Sequence, residues 1–283
     1  MQLSKSPLEE KKVQTPSPAA TNFHSTSSMA PPAMFSSTQN MAVNQNLSKP
    51  AQEQQQQQAE TEQNQTAEVA EETGVGTNLS PNDMLDAVID GHQVFKSSAR
   101  FTNVQIQGPS AIGAPGCLSA PNVSGLIYGN LAGKAKDQED LAMAKAVGNV
   151  MGQHLLQWAS SLIVPGLPWY PSFSFFPAPT APPMPNVPTP LQSCPSFSEY
   201  LLTNQEMITN QIMSKLPSEM KNDVNRGKVA SFSSMASGYF VIWLQSTFLY
   251  NVLGMGTVPT FAPPFVLGGP VVGKVIPTSG VLN

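Results

Sequence analysis

Residues 146–166, AVGNVMGQHLLQWASSLIVPG, and residues 229–256, VASFSSMASGYFVIWLQSTFLYNVLGMG, decide how this chain is read. Each is an apolar run at helical spacing with one tryptophan, Trp158 or Trp243, and each ends on a break at Pro165-Gly166 or Gly254–Gly256. Behind each comes a stretch rich in proline and aromatic residues. The first closes on Val187-Pro188-Thr189-Pro190 and the second on Val275-Ile276-Pro277-Thr278. Neither 146–198 nor 229–273 holds a charged residue. This shared layout predicts a mainly α chain of two similar helix–helix–extended-arm units, preceded by a long disordered N-terminal tail.

The boundaries follow from local signals. Ser80-Pro81-Asn82-Asp83 starts a helix: serine caps, proline suits the first turn, and aspartate favours the positive end of the dipole. Met84, Leu85, Val88, Ile89, His92 and Phe95 then recur at helical spacing to about Ala99. Thr102–Ile106 alternates like a short strand, and 107–125 reads as a loop. A second helix is expected from Lys136 or Asp137 to Ile163 or Val164, because Pro165 disfavours helix before it. Between Pro165 and Pro195 the prolines exclude both helix and central strand. Ser196-Phe197-Ser198-Glu199 has the letters of a capping box and opens a third helix to Leu216. Helix restarts after Pro217, Arg226-Gly227 predicts a kink, and a fourth helix runs from Val229 to Leu253. The expected domains are a tail over 1–79 and helical units over 80–194 and 195–283.

The tail is rich in Ser, Thr, Pro, Asn and Gln, with Gln54–Gln58 unbroken. Little apolar area is present there to offset an ordering cost of about 1–2 kcal/mol per residue. It also carries the net charge of −4, with four lysines against eight glutamates, whereas 80–283 balances ten basic with ten acidic residues. A neutral folded part without a basic stripe is a poor candidate for nucleic-acid binding, which rests on phosphate neutralisation by clustered Lys and Arg. Met1–Pro7 lacks the apolar run of a secretory signal peptide.

The chemistry-bearing residues are sparse. Cys117 and Cys194, the two cysteines, read as idle thiols, with a single disulfide as the alternative. His24, His92 and His154 show no metal-ligand spacing, and no Walker loop, nucleophile elbow or dinucleotide fingerprint is present. No catalytic, cofactor-binding or metal-binding residue is expected, and no small-molecule substrate. Gly148-Asn149-Val150-Met151-Gly152 has the small-xxx-small spacing of close helix packing. The 25 uncharged residues 229–253 are long enough to cross a bilayer, but their serines, threonine, asparagine and glutamine favour a buried helix. Membrane insertion of this helix is the second reading. The arms, Trp169–Phe176 and Thr257–Val266, read as straps across a neighbouring subunit or their own helices, with polyproline ligands as the alternative. Trp158, Trp243, Phe240, Phe248, Trp169, Phe261 and Phe265 are the expected packing and assembly residues.

The Trp-bearing helices, with Pro259-Thr260-Phe261-Ala262-Pro263-Pro264-Phe265 and Val275-Ile276-Pro277-Thr278 behind the second, resemble small structural proteins of contractile phages and phage-tail-like injection particles. The Pro/Gln/Ser-rich start is similar to those of proteins packaged in or attached to such particles. The resemblance implies a non-enzymatic particle component or cargo, assembled in the cytoplasm, whose partners are itself or other structural subunits.

Overall fold

The computed structural model describes residues 75–282, so the tail reading falls outside the described residues up to Gly74. Val75–Leu79, assigned to the tail from sequence, are held against the fold, with Thr77 and Leu79 buried. Helix α1 (Pro81–Ser98) begins as its sequence dictates: Ser80 Oγ accepts from the Asp83 N–H at 3.1 Å, and the Asp83 carboxylate accepts from the Ser80 N–H at 3.2 Å. Short strands β1 (Arg100–Phe101), β2 (Gln105–Gln107), β3 (Ser110–Gly113) and β4 (Leu118–Ser119) follow, then helices α2 (Ser124–Ala132) and α3 (Gln138–Ser161). The segment 107–125, expected as loop, therefore contains two strands and the start of a helix.

Strands β5 (Val164–Pro168), β6 (Thr180–Pro185) and β7 (Thr189–Pro190) come next. The third expected helix is broken at Asn204 into α4 (Tyr200–Thr203) and α5 (Gln205–Lys215). Ser196 does not cap it; its hydroxyl donates to the Trp158 carbonyl at 2.8 Å, pairs with Ser161 and accepts from the Ser198 N–H at 3.3 Å, two residues before the helix. Helix α6 (Asp223–Ser246) starts earlier than expected, capped by Asn222, and continues through Gly227 without a break. It also stops seven residues short of Leu253, where the chain turns into β8 (Phe248–Leu249) and β9 (Leu253–Thr257), with β10 (Val272–Val275) last.

The chain is therefore not mainly α: 48% of the described structure is helical and 20% is strand. Six strands form one antiparallel sheet in the order β5-β3-β2-β10-β9-β6. Strands β10 and β9, adjacent inside the sheet, come from the second expected unit and are flanked on both sides by strands of the first. The expected two similar units are thus woven into one sheet and one core. Proline does confine the first arm as its chemistry requires, since β5 and β6 are the two edge strands.

Glycine hid the second arm from the alternation rule. Gly256 faces Gly273 across the β9–β10 ladder, and a Cβ on Gly256 would stand 2.7 Å from the Gly273 Cα. Of the four inward positions of β9 and β10, three are glycine (Gly254, Gly256 and Gly273) and only Val275 carries an apolar side chain. Close approach also explains Gly148 and Gly152, where α3 lies against α2: a Cβ on Gly148 would be 3.0 Å from the Tyr128 backbone nitrogen, and one on Gly152 would overlap Ser124.

Candidate functional site

The sheet buries only one face. Ile106, Ala111, Leu167 and Val275 point to the core, while Gln105, Gln107, Ile112, Gly166 and Lys274 beside them are exposed. Register aligns the outward residues in two rows across the strands. One row is Ile112, Gln105, Lys274 and Met255; the other is Gln107, Val272, Thr257 and Thr180. Lys274 is the one charge in these rows. A shallow depression of about 770 Å³ lies over them, lined by Gln105, Met255, Val272 and Lys274 among others. Both edges of the sheet are blunted by proline, at Pro165 and Pro168 in β5 and at Pro182, Pro183 and Pro185 in β6.

A smaller cavity of about 230 Å³ opens between the end of α3, the α4 region and α6, lined by Trp158, Leu191, Cys194, Val241, Leu244 and the polar Gln245. Cys194 is a free thiol, as is Cys117, whose sulfur donates to the Leu162 carbonyl at 3.6 Å. Burial pushes Cys117 up to about 11 and Cys194 up to about 12, the latter helped by its neighbour Cys117. Both are protonated at neutral pH, which removes the thiolate that nucleophilic chemistry uses. The lining contains no histidine to act as a base.

Deeper in the core, His92 is fully buried among aromatic rings. Its centroid lies 4.4 Å from that of Trp243 and 5.2 Å from that of Phe240. Nδ1 is 2.7 Å from the Tyr239 hydroxyl, and Nε2 has no partner among the described residues. Desolvation, with the Lys96 charge as a second cause, pulls His92 down to about 3, so its ring is neutral. His154 is lowered by the same burial and pairs with Gln211 at 2.7 Å. A second polar knot surrounds Asp140, which accepts from Thr77 Oγ1 at 2.7 Å and from the backbone N–H groups of Asn78 at 2.6 Å and Lys136 at 2.9 Å. Desolvation alone would raise this carboxyl, but the hydrogen bonds outweigh it and hold the pKa below the ordinary value. Asn225 completes the knot from α6, accepting from the Thr77 N–H at 3.1 Å and donating to the Val75 carbonyl at 2.8 Å. Among the described residues no three His, Cys, Asp or Glu side chains lie close enough to hold a metal ion.

Of the expected packing residues, the structure brings together Trp158, Trp243 and Phe240, the two indoles 5.0 Å apart at the meeting of α1, α3 and α6. They are buried in the chain's own core. Trp169 is buried beneath the sheet and donates from Nε1 to the Met184 carbonyl at 3.1 Å. Phe261 is half-buried, whereas Phe248 and Phe265 are exposed. The outward rows were missed because a three- or four-residue strand studded with glycine shows too short an alternation to register. Among the described residues no helix is long and apolar enough to cross a membrane. No protein-family model, curated protein or solved structure matches this chain.

Proposed function

We propose that this chain is a non-enzymatic structural subunit that assembles with further copies of itself through the uncovered face of its six-stranded sheet. The observation that carries the reading is the pair of outward rows, which leave Ile112, Val272 and Met255 exposed on a nearly uncharged surface. Such a face is where a second layer packs in a sheet-on-sheet contact. Growth by adding a strand is disfavoured because proline occupies both edges. The setting, a contractile phage or phage-tail-like particle put together in the cytoplasm, follows the resemblance of the Trp helices and the Gly/Pro/Val-rich C-terminus.

Lys274 reports directly on this face. Acylation of its amine, read by mass spectrometry on the full chain, is expected to fall as protein concentration rises, while exposed Lys145 on α3 reacts equally throughout. Equal reactivity of Lys274 at all concentrations counts against the reading.

A further inference from the structure

The two arms meet in an apolar tip that the sheet-face reading does not use. After β9, residues 258–271 fold into a tight loop: the Phe261 N–H donates to Val258 O at 3.0 Å, and the Ala262 carbonyl accepts from the Phe265 N–H at 3.0 Å and the Val266 N–H at 2.8 Å. The Ala262 N–H returns to Val266 O at 2.9 Å, and the intervening residues are Pro263 and Pro264, which have no N–H to satisfy. Every backbone donor from 261 to 266 is thereby paired within the loop. The first arm is zipped alongside by Phe176 N–H to Gly269 O at 2.8 Å and Val271 N–H to Phe173 O at 2.9 Å. A Cβ on Gly268 would stand 2.6 Å from the Phe175 ring, which places that ring over Gly268, next to Leu267.

The result is a braced projection with Phe265 91%, Phe175 63% and Leu267 61% exposed. Residues 261–268, Phe-Ala-Pro-Pro-Phe-Val-Leu-Gly, include no side chain that can make a hydrogen bond, and neither arm carries a charge. A protein contact surrounds its aromatic anchors with a polar rim and hydrogen bonds, and residues 261–268 offer no side-chain partner for one. Hydrocarbon asks only for apolar side chains and rewards paired backbone, and the donors of 261–266 are paired already, which lowers the cost of seating the loop at a bilayer boundary.

We propose that this tip is a lipid-contacting wedge, which seats Phe265, Leu267 and Phe175 at the boundary between headgroups and acyl chains of a bilayer without spanning it. Without lysine or arginine on either arm, the contact is insensitive to lipid charge and to salt. It is independent of the sheet face, since the residues of the two surfaces do not overlap.

The test is flotation of the full chain with phosphatidylcholine vesicles, and with vesicles that also contain phosphatidylserine. The wild-type chain is expected to float equally with both, at about 0.1 M and about 0.5 M salt alike. Phe265→Asp with Leu267→Asp, at exposed positions, is expected to reduce partitioning at least about tenfold while leaving the thermal midpoint unchanged. A Met255→Glu/Val272→Glu chain, altered only on the sheet face, should float like wild type. Absence of wild-type flotation, flotation unaffected by the aspartates, or flotation that needs phosphatidylserine and vanishes in salt would each overturn the proposal. So would loss of self-association, without any vesicle binding, in the aspartate variant, which would make the tip a protein contact.

Discussion

The imidazole of His92 stands edge-on to the indole of Trp243, their centroids 4.4 Å apart at an interplanar angle of 82°. A charged ring has no solvent or carboxylate there, so the fold holds His92 neutral down to about pH 3 against an ordinary value of 6.5. The unfolded chain binds a proton at this residue below about 6.5 and the folded chain does not, so stability present above that pH is lost as pH falls towards about 3. The expected slope is up to about 1.4 kcal/mol per pH unit. Urea unfolding between neutral pH and pH 5 should show it, and His92→Phe should flatten the profile. An equal slope in the variant would place the acid sensitivity elsewhere.

Trp158 is 1% exposed and packs on both Phe95 and Trp243. Truncation by Trp158→Ala is expected to cost about 3–5 kcal/mol, as for other large core aromatics. Its indole N–H makes no hydrogen bond among the described residues, so the loss is one of packing. Thermal denaturation should show a large drop for this variant and almost none for Phe265→Ser on the exposed tip.

At Gly256 the opposing Gly273 leaves no room for a side chain. Gly256→Val should destabilise by at least about 2 kcal/mol through forced separation of β9 from β10. Gly238, exposed in α6 with open space around its Cβ position, behaves oppositely: Gly238→Ala should stabilise by roughly 0.5–1 kcal/mol. Chemical denaturation of the two variants side by side reads both signs.

Asp140 ties Val75–Leu79 to the start of α3 by accepting from Thr77 Oγ1 and the Asn78 N–H, and it also accepts from the Lys136 N–H. Removing the carboxylate in Asp140→Ala leaves those donors without partners and should cost roughly 3 kcal/mol. Limited proteolysis should then cleave near residues 75–79 sooner than in wild type. Unchanged cleavage would mean that Asp137, Asn222, Asn225 and Lys228 hold the segment without it.

Cys117 and Cys194 are buried with their thiols raised well above neutral pH. Neither should react with a disulfide reagent at pH 8 in the native chain, and both should titrate at once in denaturant. Fast native labelling of either one would contradict its placement.

Where a residue's role depends on local chemistry, the sequence was legible. Ser80 and Asp83 announced their cap, Asp137 the start of α3, and Gly148 with Gly152 a close helix contact, which α2 turned out to supply. What failed was the arithmetic of arms. Gly254, Gly256 and Gly273 place hydrogen atoms where an inward apolar residue would mark a strand, so β9 and β10 read as extended chain. Their partners, β2 and β6, lie some 70 to 170 positions away in sequence, a separation no local pattern encodes. The tryptophans were recognised as buried, but their burial serves the chain itself. The surfaces left over, Ile112 to Met255 across the sheet and Phe265 at the tip, became visible only once the register was known.

The account rests most on the uncovered sheet face, and the mass of the full chain in solution tests it most directly. Light scattering across a concentration series should give a mass above the 30.2 kDa monomer. Met255→Glu with Val272→Glu should return the chain to the monomer at an unchanged thermal midpoint. A wild-type monomer at every concentration, or an oligomer indifferent to those two substitutions, would contradict it.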